Sequence, residues 1–388
     1  MNTNKNISTH DSPSPSGKVG MGLRVILSGG GTGGHIFPAV AIANAIKKLV
    51  PQAEILFVGA LGKMEMEKIP AAGYKIIGVP IAGFHRKFTL ANLKLPFLII
   101  QSLLKTKKII NEFKPDVVVG TGGYASGPLL KAATSKGIPA LLQEQNSYPG
   151  ITNKILSKKA SKICVAYEGM EQFFPKQKIL LTGNPVRQDL IDVKQHREEA
   201  LNFFKLSPNK KIILVIGGSL GARTINESMG AGLQKLADNN IQLIWQTGKT
   251  YYATAIQQAE KFSNDNIYAL EFISRMDLAY AAADIVISRA GASSVSELCN
   301  LGMPSILVPS PNVAEDHQTK NAMALVNKQA TLLVKDNEAR SVLINTAISL
   351  ISNTSQQVTL TNNISQMAFQ NSANVIAMEV LKLANYTL

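Results

Sequence analysis

Gly29-Gly30-Gly31-Thr32-Gly33-Gly34 follows an apolar run at 24–27, and Gly217-Gly218-Ser219-Leu220-Gly221-Ala222 follows an apolar run at 212–216. The two stretches lie 188 residues apart, close to half of the 388-residue chain. Each reads as the turn between a buried strand and the helix after it, where a glycine-rich loop turns the helix's free N–H groups towards an anion. The chain opens the same way twice. The reading that follows is α/β: two Rossmann-like domains whose parallel sheets face a central ligand cleft.

Working outward, short apolar runs alternate with helical patterns, as buried parallel strands require. Strands are expected at 24–27, 55–58, 76–79, 116–119, 140–142, 163–165 and 179–181. The second half carries them at 212–216, 243–245, 267–270, 285–287, 306–308 and 331–334. Residues 1–21 are polar, with a Ser-Pro-Ser-Pro-Ser run, and read as a disordered tail without the apolar stretch of a signal peptide. The expected organisation is a first domain at 22–185, a second at 186–365, and a C-terminal helix at 366–388 packing back on the first.

Composition narrows the function. The chain is 45% hydrophobic with mean hydropathy +0.08, too apolar for a disordered protein. Its most apolar stretch, 90–104, is broken by Asn92, Lys94, Pro96 and Gln101 and is shorter than the ~20 residues of a membrane span. Cys164 and Cys299 sit far apart in apolar segments and read as core residues. Net charge is +14, and all of it lies in the first half: residues 1–186 hold 23 basic and 9 acidic side chains, residues 187–388 hold 17 of each. Such asymmetry fits an anionic partner. Nucleic acid is disfavoured, because the basic residues lack interleaved aromatic platforms and no recognition motif is present.

The first glycine loop formally fits a dinucleotide fingerprint. The second strand, however, ends Phe57-Val58-Gly59-Ala60, without the acid that would hold a ribose 2′-hydroxyl. The second loop fits a nucleophile elbow at Ser219, but only His317 is available downstream as its base, and the first domain would have no role. A phosphate bound by Ser219 suits both domains better. The histidines are scattered, and no metal or cofactor motif is present, so helix termini are expected to stabilise a leaving diphosphate. In Gly291-Ala292-Ser293-Ser294-Val295-Ser296-Glu297, Ser294 and Glu297 have the spacing of a capping box; alternatively Glu297 grips two ribose hydroxyls.

Gly29–Ala39, Gly120-Thr121-Gly122-Gly123-Tyr124-Ala125-Ser126-Gly127-Pro128 and Glu144-Gln145-Asn146 resemble the N-terminal signatures of the MurG-type glycosyltransferases. Gly183-Asn184-Pro185-Val186-Arg187, the second glycine loop and the stretch 288–321 resemble their C-terminal signatures, in the same order. The resemblance implies a GT-B architecture and inverting transfer of GlcNAc from UDP-GlcNAc to lipid I, giving lipid II for peptidoglycan. It implies that Thr32, Gly33 and Gly34 touch sugar or diphosphate, that Asn146 reaches the sugar, and that Arg187 lies on the nucleotide side. Ser219 would bind phosphate and the Ile273 backbone would meet uracil. Ala292, Ser293, Ser294, Val295, Ser296 and Glu297 would span diphosphate and ribose, and Gln318 would read GlcNAc hydroxyls. The chain departs from some members at His317, where they carry another glutamine. His35, just after the first glycine turn, is the expected general base, since an imidazole changes charge near neutral pH.

Two rival reactions on the same scaffold are a different glycolipid transfer and UDP-GlcNAc 2-epimerisation. The basic first half suits an acceptor anchored in an anionic bilayer, reached from the cytoplasmic face of the inner membrane, with other cell-wall synthesis proteins as candidate partners. Ile77, Val79, Ile81, Phe84 and Phe88, with His85, Arg86 and Lys87 among them, form either a membrane-touching patch or ordinary buried structure. The stretch 90–110, with Lys94, Lys105, Lys107 and Lys108, adds peripheral attachment.

Overall fold

The computed structural model describes residues 22–81, 95–186, 190, 193–218, 221–265 and 267–388. The expected tail at 1–21, Arg187, Ser219 and the segment holding Phe84, His85, Arg86, Lys87 and Phe88 lie outside the described residues.

All thirteen expected runs are strands, with ends that differ by at most three residues. β1 (Arg24–Gly29), β2 (Glu54–Ala60), β3 (Lys75–Val79), β4 (Val117–Gly122), β5 (Ala140–Glu144), β6 (Lys162–Val165) and β7 (Ile179–Leu181) form a parallel sheet ordered β3-β2-β1-β4-β5-β6-β7. β8 (Lys211–Ile216), β9 (Ile241–Gln246), β10 (Ile267–Leu270), β11 (Ile285–Ser288), β12 (Ser305–Leu307) and β13 (Leu332–Leu333) form a second, ordered β10-β9-β8-β11-β12-β13. In both sheets the order reverses beside the first strand. That switch point opens a crevice at the strands' carboxyl ends.

Alternation along each strand explains why the sheets are covered on both faces. Val25 and Leu27 join one core with Phe57, Val119 and the helix Gly33–Leu49; Ile26, between them, joins the opposite core with Val58, Val118 and the helix Ser126–Thr134. In the second sheet Ile213 and Val215 face one core, while Ile212 and Leu214 face the other. The helix Ser372–Leu383 lies against the helix Gly33–Leu49, and its Ile376, Ala377, Val380 and Leu381 complete the core of the first sheet. The chain thus crosses between the two sheets twice. Cys164 and Cys299 are buried in separate cores, and burial pushes both thiols up to about 12.

Candidate active site

The first glycine loop packs tightly against its surroundings. Glu65, fully buried at the start of the helix Glu65–Ala71, accepts the Gly31 and Ala60 N–H groups at 2.9 and 3.0 Å. A Cβ on Gly30 would fall inside that carboxylate. Part of the glycine richness therefore answers to Glu65 and not to a ligand. Sequence reading missed Glu65, because its partners are 5 and 34 residues away. Beyond the loop, Thr32 precedes the helix Gly33–Leu49 without a side-chain cap, and no acid sits in that helix's first turn. Such an end favours an anion. Thr32 is exposed, while Gly33, Gly34 and His35 are half-buried.

His35 is held in place from two sides. Its Nδ1 lies 2.9 Å from Gln145 Oε1, and its backbone carbonyl accepts the Thr121 hydroxyl at 2.7 Å. A Cβ on Gly122, which has φ +106°, would lie 2.8 Å from the ring, so the glycine lets the β4 end close over the imidazole. Asn146 Nδ2 donates to Glu144 Oε1 at 3.2 Å, and Asn146 Oδ1 accepts from Asn321 Nδ2 at 3.1 Å. Asn321 Oδ1 also accepts the Ser147 N–H and hydroxyl, each at 3.0 Å. Asn321 belongs to the helix His317–Val326, so this cluster joins the two domains across the cleft.

On the second side of the cleft, the helix Ala292–Leu301 follows β11 with Gly291 as its N-cap and no acid in its first turn. Ser294 is therefore inside the helix, and the capping-box alternative for Ser294 and Glu297 is excluded. Ala292 and Val295 are buried, while Ser293, Ser294, Ser296 and Glu297 are half-buried. Tyr280, buried in the core, donates its hydroxyl to Glu297 Oε2 at 2.9 Å. Ile273 is 3% exposed with its side chain in the core, so only its backbone remains for a ligand. Gln318 accepts the Ser310 N–H through Oε1 at 2.8 Å, which leaves its NH₂ end as the group to meet a sugar hydroxyl.

Gln143, Gln145, Asn184, Ser147 and Asn321 also shape the cleft, though sequence reading gave them no role. One signal was present: Gln143 and Glu144 end β5, an otherwise apolar buried strand, on the side where such sheets bind ligands. Among the described residues, no group of three or more His, Cys, Asp or Glu side chains is placed to hold a metal ion.

Two such sheets facing one cleft, each presenting a helix N-terminus, form a GT-B architecture. Residues 25–165 match the glycosyltransferase family 28 N-terminal domain, and residues 212–377 match the family's C-terminal domain. The chain belongs to glycosyltransferase family 28. It is similar to a Parabacteroides distasonis protein named UDP-N-acetylglucosamine--N-acetylmuramyl-(pentapeptide) pyrophosphoryl-undecaprenol N-acetylglucosamine transferase: 58% identical over 360 residues, 93% of this chain and 98% of the relative. Acinetobacter baumannii MurG aligns over 93% of this chain and 99% of its own at TM-score 0.75 and 27% identity. UDP-GlcNAc 2-epimerase from Neisseria meningitidis aligns over 93% and 100% at TM-score 0.63; at 13% identity it shares the fold alone.

Proposed function

We infer that this protein is a UDP-GlcNAc-dependent N-acetylglucosaminyltransferase that converts lipid I to lipid II in peptidoglycan synthesis. Identity along nearly the whole chain to relatives named for that reaction carries this reading. It also separates the transferase from an epimerase, which has the fold without the sequence. In the proposed mechanism, His35 Nε2 takes the proton of the acceptor 4-hydroxyl as its oxygen attacks the anomeric carbon from the face opposite UDP. The uncapped start of the helix Ala292–Leu301 stabilises the diphosphate as it leaves. Glu297 holds the ribose, the Ile273 backbone the uracil, Gln318 and Asn146 the GlcNAc, and Thr32, Gly33 and Gly34 the acceptor side. Incubation with radiolabelled UDP-GlcNAc and lipid I should yield labelled lipid II; no labelled lipid beside a competent control enzyme would overturn the assignment.

We propose a membrane contact on a different face from part of the one expected. Val79 is fully buried, and Ile77 and Ile81 pack against the core, so these three do not form a lipid-facing patch. The helix Leu95–Phe113 instead exposes Phe97, Ile100 and Leu104 along one side, 63, 56 and 61% accessible, with Lys105 and Lys108 continuing it. Its other side, Ser102, Thr106, Ile109 and Ile110, is buried. Among the described residues no helix is long and apolar enough to cross a membrane. An apolar stripe beside lysines suits peripheral binding at the cytoplasmic face of the inner membrane, each lysine near anionic lipid adding about 1 kcal/mol. A triple Phe97→Ser, Ile100→Ser, Leu104→Ser variant should cosediment with anionic phospholipid vesicles at least about tenfold more weakly, given the apolar area removed. Unchanged cosedimentation would remove this helix from the membrane face.

A further inference from the structure

Three buried amides connect His35 to the donor-side helix, and their polarity is fixed. Asn184 Nδ2 donates to the Gln145 backbone carbonyl at 2.9 Å, a group that can only accept. Its other bond goes to Ser296 Oγ at 2.9 Å, in the helix Ala292–Leu301. Asn184 Oδ1 must then face Gln143, whose Nε2 donates to it at 2.9 Å. Gln143 Oε1 in turn accepts from Gln145 Nε2, which also donates to the Thr121 carbonyl at 2.6 Å. A flipped Gln145 would set its oxygen against carbonyl oxygens. Gln143, Gln145 and Asn184 are at most 3% exposed, so water is not there to relieve such a clash.

Gln145 Oε1 therefore faces the imidazole, and an amide oxygen offers no proton. We propose that Gln145 is a positioning residue that selects the His35 tautomer: Nδ1 carries the hydrogen and donates to Gln145 Oε1, while Nε2 carries the lone pair. The chain through Gln143 and Asn184 locks that choice from the far side of the cleft. This rests on the reading of His35 as the base and adds the group that prepares it. No ionised partner is needed, since an amide with a fixed direction selects the tautomer as a carboxylate would.

The test is ¹⁵N spectroscopy of the full-length protein labelled at histidine, with the His35 ring assigned by its loss in His35→Ala. In the wild type at a pH where the ring is neutral, Nδ1 should bear the proton and Nε2 should not. In Gln145→Leu the selection should disappear, the Nε2–H form should become populated, and kcat should fall about 10- to 100-fold with little change in KM for UDP-GlcNAc. A wild-type ring protonated on Nε2, or a Gln145→Leu ring spectrum identical to wild type, would overturn the proposal. The wild-type spectrum needs no variant, so a misfolded mutant leaves that arm intact. A failed base reading shows separately, as an active His35→Ala enzyme whose wild-type ring is still the Nδ1–H tautomer.

Discussion

Replacing His35 by alanine should lower kcat about 10²- to 10⁴-fold, the contribution typical of a positioned general base. UDP affinity should stay within about twofold, because the side chain acts on the acceptor and not on the nucleotide. The expectation rests on placement. His35 stands in the first turn of a helix that starts at the glycine loop, on the first-domain side, while the residues assigned to UDP belong to the second. Its Nδ1 is engaged by Gln145, which leaves Nε2 as the ring's proton acceptor. A merely structural histidine would show itself differently. Because the ring packs against Gly122, alanine leaves a void there, and some loss of thermal stability is expected under either reading. Only a base loses turnover while the folded enzyme still binds UDP normally. Steady-state kinetics with lipid I, beside calorimetric titration of UDP, decides between them, and turnover within about threefold of wild type would remove His35 from the chemistry.

The fold was legible because its information is local. Thirteen apolar runs, two glycine turns and the rule that parallel strands are covered on both faces were enough to give two sheets. The cleft was legible only where a motif lies within a few residues. His35, Asn146 and the segment 292–297 sit where their spacing put them, at strand ends and helix starts. What joins them was not legible. Gln145 meets His35 across 110 residues, Asn184 meets Ser296 across 112, and Asn321 meets Asn146 across 175. No periodicity carries a contact of that range. The limits of the capping-box alternative have the same origin. The spacing of Ser294 and Glu297 fits a capping box, but the helix begins at Ala292 because Gly291 supplies the extended residue before it, with φ −67° and ψ 145°. Likewise the Glu65 carboxylate, brought from another element, fills the space beside Gly30. A glycine records that something comes close without saying whether it is ligand or protein.

With the capping box gone, Glu297→Gln tests the ribose assignment against a structural role that includes acceptance of the Tyr280 hydroxyl. Tyr280 is 1% exposed and its phenol needs an acceptor, so in the variant the single amide oxygen turns towards it and the NH₂ group takes the other carboxylate position. The Tyr280 bond survives, and the stability of the unliganded protein should change little. Ribose binding should not survive intact. Two hydroxyls that donated to a carboxylate now share one neutral amide, and the lost charge-assisted bond should weaken UDP by about 1.5–3 kcal/mol, roughly 10- to 100-fold. Calorimetric titration of UDP into both proteins, with melting curves of the unliganded forms alongside, separates the roles. Equal affinities would leave Glu297 with a structural role only. A weakened UDP with an unchanged melting curve places its carboxylate on the ribose.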